Sequence, residues 1–218
     1  VNIVEFLFKF VFTKNKSMKK IAFIITLAIA LYSFTNAHTD HYKIDNQKSN
    51  IKWVGSKISG SSHEGNISIT EGIISINHGN MVNAEFVVDL NTMTCTDLVE
   101  KKAEYLVEHL KNDDFFDVTN HPLAKLKLIK ASKTEKGYNI IASLTIKEKT
   151  HPVVFDIEWT QRGTASLASG TLTFDRTKFD ITYGSGSFFD DLGDRAINNE
   201  VTLEFRVMAN LEENGEHH

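Results

Sequence analysis

GYNIIASLTIKEKTHPVVFDIEW, residues 137–159, carries the period that decides the fold. Within it Tyr138, Ile140, Ala142 and Leu144, and then Val153, Phe155, Ile157 and Trp159, alternate with polar or smaller residues. A period of two puts such a set on one face of a strand. The same alternation recurs at Ile51/Trp53, Ile67/Ile69, Ile74/Ile76, Ala84/Phe86/Val88, Leu126/Leu128, Phe179/Ile181 and Val201/Leu203/Phe205/Val207. Turn chemistry separates many of these sets: Gly60 among serines, Asn77-His78-Gly79-Asn80, Glu135-Lys136-Gly137, Arg162-Gly163 and Gly184-Ser185-Gly186. Eight or more strands at this spacing predict a mainly β fold, an antiparallel barrel or sandwich.

One segment departs from the rhythm. Residues 96–110, TDLVEKKAEYLVEHL, lack alternation, and Leu98, Tyr105, Leu106 and Leu110 can share one side of a helix. Thr94 and Asp97 stand at capping-box spacing at its start, and Asn112 closes it. Such a helix would lay its apolar stripe against an end or flank of the sheet. The polar tail Met208–His218 is expected to fray. No repeat or linker divides the chain, so residues 38–210 read as one domain and residues 211–218 as a frayed polar tail.

The N-terminal region reads differently. Met18-Lys19-Lys20 is followed by an apolar run from Ile21 to Leu31 and by small residues up to Ala37, the three-part pattern of a secretory signal. That apolar core of about 11 residues is well short of the roughly 20 needed to span a bilayer. Residues 18–37 are therefore expected to be a cleaved signal peptide, and residues 1–17 an upstream extension of the true start. A periplasmic or secreted protein beginning near His38 follows. Of 24 Lys+Arg and 28 Asp+Glu, five lysines and one glutamate precede residue 38, leaving 19 basic against 27 acidic groups, a net charge near −8. Nucleic acid and anionic surfaces demand clustered positive charge and are poor partners for such a chain. A single cysteine, Cys95, excludes an intrachain disulfide and a cysteine-based zinc cluster.

Chemistry-bearing constellations are sparse. His109, Asp113, Asp117 and His121 recur at intervals of four and could line one face as metal ligands, but only on a helix running through Phe115-Phe116 to the residue before Pro122. A polar elbow is the expected alternative, with Asp113 and Asp114 capping amides while Phe115 and Phe116 plug the core. No HExxH, CxxC or GxSxG occurs, and Ser187 has no His-Asp pair near it in sequence. His63, beside Glu64 in a Gly/Ser-rich loop, and Arg176 and Arg195, each after an aspartate, are the remaining polar candidates for contacting a ligand. The 15 phenylalanines and two tryptophans are more informative, because a closed eight-stranded barrel holds a small ligand when its inward side chains do not fill it.

Several segments resemble, in order and spacing, the YceI-like family: YKIDNQKSNIKWVGSKISGSSHEGNI (Tyr42–Ile67), HLKNDDFFDVTNHP (His109–Pro122), LTIKEKTHPVVF (Leu144–Phe155), LTFDRTKFDITYGSG (Leu172–Gly186) and INNEVTLEFRV (Ile197–Val207). The resemblance covers about residues 42–207. It implies a lipocalin-like, extended eight-stranded antiparallel β-barrel with one flanking α-helix, exported to the periplasm or beyond, holding a polyisoprenoid or other long-chain amphiphile. The helix here reads EYLVEHL where many members carry an Arg-Asp pair before the His-Leu, which bears on head-group contacts more than on fold.

The expected function is thus that of a non-enzymatic carrier or sequestering protein with no cofactor beyond the bound lipid. Trp53, Phe86, Phe155, Phe179, Phe115 and Phe116 are the expected lining residues, and His63, His109, Arg176 and Arg195 the expected head-group contacts. Expected partners are an amphiphilic lipid and, transiently, a membrane, with a homodimer left open. Two other readings stand beside it: a secreted hydrolase or metal enzyme using His109, Asp113 and His121, and a ligand-free stress-response protein with a filled barrel.

Overall fold

Alternating sequence becomes alternating burial most plainly in β6 (Gly137–Ile146), where every second residue from Tyr138 to Ile146 is buried. A computed structural model describes residues 39–212; the upstream extension, the signal segment and residues 213–218 lie outside the described residues. The strands in chain order are β1 (Thr39–Ile44), β2 (Asn50–Lys57), β3 (Ser62–Asn77), β4 (Asn80–Asp89), β5 (Leu123–Lys133), β6, β7 (Lys149–Arg162), β8 (Ala165–Asp175) and β9 (Ile197–Leu211). The helix α1 (Glu100–Lys111) stands between β4 and β5.

β2 through β9 form a closed antiparallel ring of eight, joined by the β3–β4 and β2–β9 pairings. β1 adds no ninth position. It pairs with the far half of β3 (Tyr42 opposite Ile74) and with the end of β9 (Tyr42 opposite Leu211), while β2 pairs with the near half of β3 and the start of β9. The two run in the same direction between the same neighbours, so they are one strand interrupted at residues 45–49. There Asp45 accepts from the amides of Gln47 and Lys48, the self-bonding turn that aspartate favours. Closure removes most of the free sheet edge that would otherwise invite aggregation.

The Ile67/Ile69 and Ile74/Ile76 sets belong to one 16-residue strand. Register shifts between Ile69 and Glu71, which leaves Thr70 as an extra residue. An inserted residue exchanges the faces of everything beyond it, so odd positions point inward before the bulge and even positions after it. β9 likewise continues through Met208 to Leu211, further than the polar tail suggested, because β1 and β8 both pair with its end.

Phe179 and Ile181 do not form a strand. β8 pairs with β7 only through Ile157–Arg162, leaving residues 149–156 of β7 without a partner on that side. Pro152, which has no N–H to offer a ladder, sits in this stretch, where proline is tolerated. The turn Arg176–Phe179 fills the gap, and the Phe179 ring is 1% exposed between His151 of β7 (centroids 5.2 Å) and Phe174 of β8 (5.6 Å).

α1 starts later than expected, and no side chain caps it: Val99 is its N-cap. Its packed stripe is Ala103, Leu106, Val107 and Leu110, whereas Tyr105 is 73% exposed. Tyr105 lies about 200° around the helix from Ala103, nearly on the opposite side. Asn112 does close the helix, its amide bonded to the carbonyls of Glu108 and His109.

Thr94 and Asp97, expected as a capping box, instead hold the segment before the helix to β3. Thr94 N–H donates to Asn66 O and Thr96 N–H to Glu64 O, so residues 94–96 stand in for a strand where β4 has ended. Gly65 makes that approach possible: a Cβ there would lie 1.7 Å from the Thr94 carbonyl oxygen and 2.8 Å from Trp53 Nε1. The Gly65→Ala variant is expected to lose about 3 kcal/mol of stability, at the upper end for overpacking, with urea midpoints as the readout.

Candidate functional site

Inward side chains of the ring surround two adjoining cavities. The first holds about 100 Å³ of free space, and every residue that lines it is apolar, with Ile74, Met81, Phe86, Ile140, Phe155 and Phe205 prominent. The second, about 140 Å³, lies toward α1 between Trp53, Met93, Leu110, Phe115, Phe116 and Phe174, and it adds Lys125, Arg176 and Asn198 to an otherwise apolar wall. Ile51 and Leu203 line both, so the cavities meet beside them. Gly170 helps keep the first cavity's shape: a Cβ on it would lie 2.9 Å from the Phe205 ring, whose edge meets Phe155 at a centroid distance of 5.8 Å.

The expected lining residues divide accordingly. Phe86 and Phe155 line the first cavity, and Trp53, Phe115 and Phe116 the second. Phe179 lines neither and plugs the β7–β8 gap instead. Leu203, Phe205 and Ile51 went unnamed as lining residues although each alternates in its strand. Parity alone cannot say which face is inward, and pairing supplies that: Ile51 stands opposite Phe205 and Trp53 opposite Leu203.

The four polar candidates are not gathered in one place. His63 Nδ1–H donates to the Asp97 carboxylate at 2.8 Å, near the Gly60 turn. His109 packs edge-on against Phe115 (5.0 Å) and Tyr183 (4.9 Å), with Asp114 at 3.6 Å. Arg195 belongs to the short turn Gly193–Arg195 that leads into β9. Only Arg176 lines a cavity. It is 2% exposed, and its three nitrogens each donate to a carbonyl: Nε to Asn198 (3.0 Å), Nη1 to Ile181 (2.8 Å) and Nη2 to Ile197 (3.1 Å). Burial pulls its guanidinium below its ordinary value, partly offset by Asp175. Arg176 thereby ties the plugging turn to the start of β9.

The histidine–aspartate series is split by the end of α1. His109 faces Asp114, while His121 reaches Asp117 (3.8 Å) and Glu148 (4.0 Å). Asp117 adopts a positive φ of 47°, so no continuous helix carries the four. Among the described residues no three His, Cys, Asp or Glu side chains are grouped to hold a metal ion. The elbow itself is as expected in seating Phe115, 6% exposed, in the core. Its cap differs: Asn112 Oδ1, not Asp113 or Asp114, accepts the amide of Asp114. Ser187 Oγ accepts from Asn199 Nδ2 (2.9 Å).

Asp97 is the most perturbed acid resolved. Burial pushes its carboxyl up, but the Glu64 amide, His63 and the Cys95 thiol outweigh this and hold it at about 2, against 3.8 ordinarily. Burial and Asp97 push the Cys95 thiol up, which makes it a poor nucleophile. A carboxylate with a lowered folded-state pKa adds stability above the unfolded value and loses it as pH falls through the folded value. The wild-type protein should therefore lose stability between about pH 4 and 2, and Asp97→Asn should flatten that part of the curve, as urea unfolding against pH would show.

The YceI-like domain pattern matches residues 42–209. No curated protein matches the sequence. Among solved structures, Burkholderia cenocepacia BcnA superposes with a TM-score of 0.61 at 20% identity, over 76% of this chain and 98% of that one. A polyisoprenoid binding domain from Saccharophagus degradans, implicated in plant cell wall breakdown, superposes with a TM-score of 0.58 at 14% identity, over 78% and 98%. The Campylobacter jejuni YceI protein does so at 0.50 and 16% identity, over 65% and 81%. At these identities the likeness is one of fold.

Proposed function

The chain belongs to the YceI-like family, and from that premise we propose that it binds a long-chain isoprenoid or other amphiphilic lipid inside the barrel, as a periplasmic or secreted carrier and not as an enzyme. The observation that carries this reading is the pair of cavities meeting at Ile51 and Leu203, the first lined by apolar residues alone. Such a largely apolar lumen suits a flexible hydrocarbon chain better than a polar metabolite. The polyisoprenoid binding named for the Saccharophagus neighbour supports the same ligand class.

Energetics favour exchange over tight sequestration from a membrane. Burying hydrocarbon gains about 0.8 kcal/mol per CH₂ from water, but a lipid leaving a bilayer departs from surroundings as apolar as the barrel. Net transfer is then close to balance, and loading and release need no energy source. The signal-like pattern from Met18 to Ala37 supports export. Phe188 and Phe189, 58% and 49% exposed in the loop between β8 and β9, are the proposed point of transient membrane contact.

Transfer of a labelled polyisoprenoid alcohol between donor and acceptor vesicles tests the carrier role. The rate should rise in proportion to added protein. A rate unchanged by saturating protein would contradict it.

A further inference from the structure

Just beneath the apolar lining of the first cavity, at the barrel end away from α1, two polar side chains are enclosed. Tyr42 faces inward opposite Ile74, a lining residue, and Ser166 precedes by two positions Ala168, another lining residue on the same strand face. Both are almost wholly enclosed, Tyr42 at 0% and Ser166 at 2% exposed, yet neither hydroxyl has a partner within 3.5 Å; Ser166 and Gln161 stand near the Tyr42 phenol, beyond that distance. Tyr138, buried nearby, shows the usual outcome at this end, since its hydroxyl donates to Gly79 O at 3.0 Å. An unpaired buried hydroxyl costs about 1–3 kcal/mol, and two at the foot of one apolar cavity are hard to explain as packing.

We propose, resting on the lipid-binding reading above, that Tyr42 and Ser166 form a subsite for a neutral oxygen of the ligand, a hydroxyl or carbonyl at one end of the chain, which is thereby buried at the cavity floor. Each hydroxyl can donate to and accept from such an oxygen. The surroundings select against charge. Tyr42 packs on Trp159 (centroids 5.9 Å) with Ser166 and Gln161 bearing on its phenol. Burial and Asp40 raise the phenol's pKa, so it stays a neutral donor. No cationic side chain lines the first cavity, and an anion there would lack a counter-charge. The buried cation, Arg176, lies in the other cavity with each of its nitrogens already bonded to a carbonyl.

The test measures uptake from vesicles of a labelled long-chain isoprenoid alcohol, the matching hydrocarbon and the matching monophosphate, by the wild type, Tyr42→Phe and Ser166→Ala. Comparing variants for each ligand cancels that ligand's own affinity for the membrane. Each variant should weaken the alcohol about tenfold and leave the hydrocarbon and the monophosphate within twofold. Equal alcohol uptake by the wild type and both variants, with thermal midpoints unchanged or raised, would mean that the hydroxyls hold only water, and would overturn the proposal. A monophosphate weakened as much as the alcohol would overturn the neutral selection. Failure of the wild type to take up any of the three would instead remove the lipid-binding reading itself.

Discussion

Leu203→Trp is expected to cut bound lipid at least tenfold while leaving a folded barrel. Leu203 sits where the two cavities meet, on β9 opposite Trp53 and Leu172. An indole there would fill the junction and leave two short chambers in place of one path. A chain that crossed the junction would lose the burial of every methylene beyond it, at about 0.8 kcal/mol each relative to water. The ring's backbone ladders do not depend on this side chain, so circular dichroism should be unchanged and the urea midpoint should move only modestly. Leu203→Ala widens the same point and should retain lipid. Wild-type lipid content in the tryptophan variant would mean that the ligand occupies one chamber alone.

The largest stability loss is expected from Arg176→Met, about 4 kcal/mol. Methionine matches the aliphatic stem but leaves the carbonyls of Ile181, Ile197 and Asn198 without the donors they now have. Each orphaned buried acceptor costs about 1–3 kcal/mol, partly recovered by water. The turn that seats Phe179 in the β7–β8 gap would loosen with it. An exposed pair with Asp175 would instead be worth under about 1 kcal/mol, so chemical denaturation separates the two roles by several-fold. Arg176→Lys should recover only a fraction, because one ammonium cannot reproduce a planar fork aimed at three carbonyls.

These two positions also mark what the sequence could and could not reveal. Alternation in 137–159 predicted β6 and β7 because both strands keep one parity along the stretch that faces the core. β3 kept parity only as far as Thr70, so its single strand read as two sets. Phe179 and Ile181 alternate as a strand would, but the missing β7–β8 pairing gives that segment a gap to fill instead of a partner. Tyr105 shared the polarity of a packed residue while its angular position put it in solvent. Most of the aromatic lining was recognisable in kind, since large apolar residues at strand positions have few other places to go. The floor at Tyr42 and Ser166 was not, because a tyrosine and a serine in alternating strands look the same whether or not their hydroxyls find partners.

Mass spectrometry of lipid extracted from the protein purified out of its native host under non-denaturing conditions tests lipid binding in the barrel most directly. The expected result is a long-chain isoprenoid or related amphiphile at close to one molecule per chain, strongly depleted in Leu203→Trp prepared in parallel. Protein free of extractable lipid, and still empty after incubation with polyisoprenoid-loaded vesicles, would contradict it.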